Sequence, residues 1–252
     1  MNEQNVCLQI EHLTKIYPAG GKKEPVRALS DLNLTLRPGL YGLLGPNGAG
    51  KSTLIHILTA SMTPSKGRVL WNGRSIRRLG KNYRRILGYM PQQQALYDGF
   101  TGGQFLQYIA ALKAIPASDT PDQIRRAAQQ VGMWEELDKR ISAYSGGMKQ
   151  RLLAAGAIMG APSLLILDEP TAGLDPKERV RLRETLAQLS RQAIVLVATH
   201  VVSDVESVAD SILLLRKGEL VDMGSPAHLE HRYAPQEGLE GVYLHLFGEE
   251  QQ

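Results

Sequence analysis

The chain has 252 residues, 43% of them hydrophobic and 21% charged. These are ordinary values for a globular protein, and the length allows one large domain or two small ones, at roughly 100–200 residues each. Disorder, collagen and coiled coil are excluded as the main class, and a net charge of +4 is too small to make nucleic-acid binding the default reading.

Residues 4–13 mix apolar and polar positions and read as a strand. Residues 26–36 read as another, after a Gly- and Lys-rich loop at 19–24. Residues 40–44 form a short apolar run between Pro38-Gly39 and Gly45, as expected of a buried strand, and a helix should follow over 51–60. Residues 67–72 are a further candidate strand.

From 101 to 160 the pattern turns helical. Thr120, Pro121 and Gln123 fit an N-cap, N1 and N3, a capping box. Ile124, Ala127, Ala128 and Val131 then share one helix face, and Gly132 is placed to end it. Strands return at 164–167 and 194–198 as continuous apolar runs, the mark of buried parallel strands. The charged stretch 176–191 between them reads as a helix. Residues 212–215 and 219–222 flank Lys217-Gly218, a hairpin signal. The sum is an α/β core with a helical insert.

Cys7 is the one cysteine and reads as a free thiol. Glu3, Glu11 and Lys15 interrupt any signal-like N-terminal stretch. The longest charge-free apolar run, 152–167, contains Gly156, Gly160 and Pro162. It therefore reads as helix, break and strand, and the chain is expected to be soluble with no transmembrane helix of its own. The histidines at 12, 56, 228, 231 and 245 show no metal-ligand spacing. The basic run Arg74, Arg77, Arg78, Lys81, Arg84 and Arg85 reads as a solvated face, with anionic lipid or acidic partner loops as the alternative.

Gly45-Pro46-Asn47-Gly48-Ala49-Gly50-Lys51-Ser52-Thr53 fits G-x-x-x-x-G-K-[ST] between a strand and a helix. Glycines let backbone N–H groups converge on phosphates, and the helix start adds partial positive charge. Lys51 would reach the β- and γ-phosphates, and the Ser52 hydroxyl would ligate Mg²⁺. The strand 164–167 runs into Asp168-Glu169. Successive strand residues face opposite ways, so Asp168 is free to serve the metal and Glu169 to act as general base. A third strand ends in Thr199-His200, bringing His200 to the same sheet edge. Ser145-Gly146-Gly147 opens another helix, with Ser145 as its cap.

In order and spacing these motifs resemble the nucleotide-binding subunits of ATP-binding-cassette (ABC) transporters over nearly the whole chain. Ser145-Gly146-Gly147-Met148-Lys149-Gln150 is similar to the family's signature motif, Asp168-Glu169-Pro170 to its Walker B end, and Ala172-Gly173-Leu174-Asp175 to its D-loop. Gln92 stands where the family has its Q-loop glutamine, His200 where it has the switch histidine, and Tyr17 where an aromatic stacks on adenine. Three departures stand out. Tyr144 replaces the usual Leu before the signature Ser, Gln92-Gln93-Gln94 lacks an acidic residue after the Q-loop Gln, and Phe100-Thr101-Gly102-Gly103-Gln104 replaces a common Leu-Thr-Val-x-Glu.

The resemblance implies a single P-loop NTPase domain with a RecA-like core and antiparallel β layer (1–94 and 161–222), a helical subdomain (95–160) and a C-terminal tail (223–252). It implies ATP and Mg²⁺, the metal held by Ser52, Gln92 and Asp168. Glu169, His200 and Gln92 would serve hydrolysis, and residues 45–53 and Tyr17 would hold ATP. Ser145, Gly146, Gly147 and Asp175 would complete the site of a second ATPase subunit, identical or related. A separate transmembrane permease would tie the chain to the cytoplasmic face of the membrane, with no nucleic acid expected. The tail 239–250 and the Tyr41-Gly42-Leu43-Leu44-Gly45 approach to the phosphate loop resemble bacterial exporter-type ATPases. The alternative is an ABC ATPase acting on ribosomes or nucleic acid. Against it stand one cassette rather than two, and the 53 positions from Gln92 to Ser145, which leave no room for a long coiled coil.

Overall fold

A computed structural model describes residues 6–18, 24–93 and 96–248. Glu3, the start of the expected 4–13 strand, most of the 19–24 loop, Gln94 and the end of the 239–250 tail lie outside the described residues. The elements run, in chain order, β1 (Leu8–Tyr17), β2 (Val26–Leu36), β3 (Gly39–Leu44), α1 (Lys51–Leu58), β4 (Lys66–Trp71), β5 (Arg74–Ser75), α2 (Ile76–Leu79), α3 (Lys81–Ile86) and β6 (Leu87–Met90). Then come α4 (Gly102–Leu112), α5 (Thr120–Gln130), α6 (Gly146–Ile158), β7 (Leu164–Asp168), α7 (Pro176–Ser190), β8 (Ile194–Ala198), α8 (Ser203–Glu206), β9 (Ser211–Arg216), β10 (Glu219–Gly224), α9 (Pro226–Tyr233) and α10 (Gly238–Phe247).

Two sheets organise these elements. β2-β1-β4-β5 is antiparallel. In the second sheet, ordered β10-β9-β3-β8-β7-β6, only the β10–β9 pair is antiparallel. The alternation of strand side chains sorts its central strands between two cores. Leu165, Leu167, Val195 and Val197 enter one core, with α4 to α7, α9 and α10. Leu164, Ile166, Ile194 and Leu196 enter the other, with α1 and the antiparallel sheet. Both faces are covered, which is why these strands are apolar throughout. Parallel register sets Asp168 opposite Ala198, and Leu43 opposite the same Ala198. The carboxyl ends of β3, β7 and β8 therefore form one edge.

The residues 223–248 complete β10 and then form α9 and α10, whose Leu229, Leu239, Val242 and Phe247 are buried. β1 differs from the expected 4–13 strand by continuing to Tyr17. His12 takes φ +49, and the register with β2 shifts between Ile10 and Leu13, so a bulge breaks the alternation that marks a strand in sequence. The capping box at Thr120 does not form. Asp119 is the N-cap, and the Thr120 hydroxyl donates back to the Pro116 carbonyl at 3.0 Å. The turn made by Asp119 and Thr120 N–H groups on that same carbonyl starts the helix one residue early. The Gln123 side chain instead accepts from Gly160 N–H at 3.3 Å. The helix end is as expected: Gly132, at φ +68, donates to Gln129, and Met133 to Ala128, a Schellman motif.

Candidate active site

α1 starts where β3 ends. Its N-cap, Gly50, takes φ +107, and a Cβ there would stand 2.5 Å from the Ala28 carbonyl oxygen. A Cβ on Gly45 would stand 2.1 Å from that of Leu215. The Lys217-Gly218 turn between β9 and β10 braces the loop. Gly218 N–H donates to the Ala49 carbonyl (2.9 Å), and the Gly218 carbonyl accepts from Ser30 N–H (2.8 Å). No side chain caps α1. The N–H groups of Gly48, Gly50, Lys51, Ser52 and Thr53 have no acceptor among the described residues. Such a helix start is a ready anion site.

An open cleft of about 300 Å³ lies over this loop. Residues 46–53, Tyr17, Val26, Ala28, Gln92, Asp168 and Glu169 line it. The sequence separates these groups widely; the sheet edge gathers them. The Lys51 ammonium donates to the Gly45 and Pro46 carbonyls, the latter at 3.0 Å. Burial lowers the Lys51 pKa, opposed by the charges of Glu169 and Asp168. Burial raises the Asp168 pKa, aided by the Glu169 charge and opposed by Lys51 and His56. A cation and two carboxylates thus share one partly buried cleft.

Glu169 is buried and takes φ +50, a strained conformation for a residue with a side chain. Its N–H donates to the Ala198 carbonyl at 2.8 Å. Its Oε1 accepts from His200 N–H at 3.0 Å and lies 2.7 Å from His200 Nδ1, while Oε2 accepts from the Thr199 hydroxyl at 3.1 Å. The carboxylate is therefore oriented by two consecutive residues at the end of β8. Tyr17 is half-buried, with its hydroxyl 3.2 Å from Thr53 Oγ1, at the cleft wall beside Val26.

Among the described residues no group of three or more His, Cys, Asp or Glu side chains is placed to hold a metal ion. The cleft nonetheless suits Mg²⁺, a hard cation held by one or two protein oxygens together with substrate phosphates. Ser52, Asp168 and Gln92 supply oxygen donors around it.

Ser145, Gly146, Gly147 and Asp175 do not line this cleft. Ser145 caps α6 by accepting from Met148 N–H at 3.2 Å. Gly146 is exposed. Gly147 is buried, and a Cβ on it would stand 3.1 Å from both the Gly173 carbonyl and the Glu178 carboxylate. Asp175 caps α7 in a reciprocal box with Glu178. A 2.7 Å ion pair, Arg151 to Glu178, joins the two helices.

Three contributors were given no site role from sequence. Gln150 donates to the Glu169 carbonyl at 2.8 Å and ties α6 to the end of β7. Thr199 holds the Glu169 carboxylate; its place at the end of a buried strand was the available signal. Gly218 braces the phosphate loop at Ala49 from 169 residues away, with no local signal beyond a turn. Two of the three sequence departures prove to be one packing feature. The Tyr144 hydroxyl donates to the Glu136 carbonyl at 2.6 Å, and a Cβ on Gly102 would stand 2.2 Å from that hydroxyl.

Residues 29–172 match the sequence pattern of the family described as ABC transporter. The chain is 37% identical over 190 residues to an uncharacterized ABC transporter ATP-binding protein, YxlF, of Bacillus subtilis, covering 75% of this chain and 63% of that protein. It is 36% identical over 233 residues to ATP-binding cassette sub-family A member 17 of Mus musculus, covering 92% of this chain and 13% of that protein. The chain thus spans less than two thirds of the length of either relative. A solved ATP-binding subunit of an ABC transporter superposes with a TM-score of 0.83 at 26% identity, over 95% of this chain and 98% of that one.

Proposed function

Because the chain belongs to the ABC transporter family and has its P-loop ATPase fold, we propose that it is the ATP-hydrolysing subunit of an exporter, working through a separate transmembrane subunit. The observation that carries this reading is the joint presence of Lys51 and an oriented Glu169 in one cleft. Lys51 and the unpartnered N–H groups of the loop bind phosphates. Ser52, Asp168 and Gln92 hold Mg²⁺, which supplies charge neutralisation at the phosphate oxygens when bound. Tyr17 stacks on the base. Glu169 takes a proton from the attacking water, and Thr199 and His200 keep its carboxylate aimed.

Residues 95–160 act as the helical subdomain. Ser145, Gly146, Gly147 and Asp175, which lie outside the chain's own cleft, complete the site of a second ATPase subunit. The match to a solved ATP-binding subunit over 98% of its length supports the separate-subunit reading. Among the described residues no helix is long and apolar enough to cross a membrane. We place the transmembrane subunit against a groove of about 430 Å³ lined by Leu87, Tyr89, Pro91, Phe105, Ile109 and Leu112. Leu112 is 65% exposed there, and Tyr97, Phe100 and Tyr108 form an exposed aromatic cluster on the neighbouring surface.

Glu169→Gln keeps shape and hydrogen-bonding reach but takes up no proton. ATPase turnover should fall about 10²–10⁴-fold. ATP binding should survive, and size-exclusion chromatography with ATP and Mg²⁺ should show a dimer that Ser145→Arg abolishes. Turnover at the parent rate would remove Glu169 from the chemistry. A dimer indifferent to Ser145→Arg would remove the second-subunit role of the α6 start.

A further inference from the structure

The charge of this molecule is unevenly placed. From residue 32 to residue 97 there is no Asp or Glu, while ten Lys and Arg fall in that stretch. With +4 for the whole chain, the remainder carries −6. Six of the ten cations, Arg74, Arg77, Arg78, Lys81, Arg84 and Arg85, sit on β5, α2 and α3, and all six are exposed. None makes an ion pair among the described residues. The segment is pinned from beneath. Ile76 and Tyr83 are buried, Leu79 and Ile86 pack against the same core, and the Tyr83 hydroxyl donates to the Leu58 carbonyl at 2.6 Å. The cations fill the positions between these anchors.

We propose that this basic face binds the anionic headgroups of a phospholipid bilayer. The proposal rests on the reading of the chain as a transporter ATPase held at a membrane. Two observations select lipid over other polyanions. Arg84 belongs to both the basic segment and the rim of the apolar groove where the transmembrane subunit is placed, so cations and groove share one border. The segment's aromatics are turned inward: Tyr83 is fully buried and Trp71 meets it edge-on at 6.3 Å. Within residues 71–86 no ring is free to stack on a nucleobase, as single-stranded nucleic-acid sites require. What remains is a field of cations suited to lipid phosphates, each worth roughly fivefold in affinity near an anionic surface.

The test uses the full chain in flotation assays with phosphatidylcholine vesicles, with and without about 30% phosphatidylglycerol. Binding should require the anionic lipid and fall with salt. Arg77→Gln, Arg78→Gln, Arg84→Gln and Arg85→Gln together should lower vesicle affinity at least about 100-fold. ATPase activity should stay at the parent rate. The same number of charges removed elsewhere, at Arg126, Arg140, Lys177 and Arg191, should lower vesicle affinity less than about tenfold. Equal loss in both variants would overturn the proposal, as would tighter binding to single- or double-stranded DNA than to the anionic vesicles. Absence of vesicle binding in an ATPase-active parent protein would sink the lipid proposal alone. An inactive parent protein that still binds anionic vesicles would sink the ATPase reading and leave this one standing.

Discussion

The molecule has two glycine-rich helix starts, and they are finished differently. α1 has no side-chain cap, five N–H groups at it and the loop before it have no acceptor among the described residues, and Lys51 is its first position. α6 has a Ser145 cap, no lysine in its first two positions, and an exposed Gly146. The first helix start is left open inside its own cleft, as an anion-binding helix start would be. The second has its Met148 N–H capped by Ser145 and lies outside that cleft. Similar glycine content therefore serves two ends. At Gly50 the backbone has no room for a Cβ; at Gly146 nothing lies within 4 Å of one.

The largest effect expected from this difference is at Lys51. Lys51→Ala removes the cation at the uncapped start, and ATP affinity of the isolated chain, read by direct titration, should fall about 30- to 150-fold, the worth of one charge-assisted hydrogen bond or more. Unchanged affinity would erase the distinction between the two starts.

The glycines give the next test. Gly50→Ala places a methyl group against the Ala28 carbonyl in a backbone conformation that L-residues avoid, and should cost about 2–4 kcal/mol in denaturant unfolding. Gly146→Ala meets no atom and sits in a helix, so stability should stay level or rise by up to about 1 kcal/mol.

The far end of α6 sharpens the comparison. There Lys113 donates to the Ala157 and Met159 carbonyls, so side chains bond the backbone at both ends of that helix. Burial holds the Lys113 pKa down to about 8, against an ordinary 10.5. Between those values the unfolded chain binds more protons than the folded one, so stability rises with pH through that window. Lys113→Met should remove about 1–2 kcal/mol of that rise, measured by unfolding near pH 7.5 and pH 10.

Two smaller effects complete the series. Ser145→Ala should cost about 1 kcal/mol of stability through the lost cap and leave ATP affinity of the isolated chain within twofold. Tyr17→Ala should weaken ATP binding by about 0.5–1.5 kcal/mol, the value of one stacking contact. A loss as large as that of Lys51→Ala would mean that the ring organises the cleft rather than lining it.

What could be read from sequence follows the reach of each signal. The apolar runs of β3, β7 and β8 are legible because both faces of the sheet are buried, and the phosphate loop is legible because its motif is one contiguous run between a strand and a helix, although the carbonyls that leave no room for a Cβ at Gly45 and Gly50 belong to the distant Leu215 and Ala28. Asp168, Glu169 and His200 could be placed on one edge because each ends such a run. The Thr120 cap was misread because the Pro116 carbonyl, outside the motif, captures its hydroxyl. The Gln150 contact with the Glu169 carbonyl and the Gly218 brace depend on tertiary approach, which leaves no periodicity. Asp175 was grouped with nucleotide contacts, yet within this chain it caps α7.

The Gly102–Tyr144 contact restricts the order in which this sequence can drift. A lineage that adds a side chain at 102 first meets the Tyr144 hydroxyl 2.2 Å away, so that step must displace the ring and its bond to the Glu136 carbonyl. Losing the hydroxyl first removes one of two bonds to the Glu136 carbonyl, which still accepts from Lys139 N–H at 3.1 Å, a milder intermediate. Descent through this pair therefore favours one direction: a change at position 144 eases a later change at position 102.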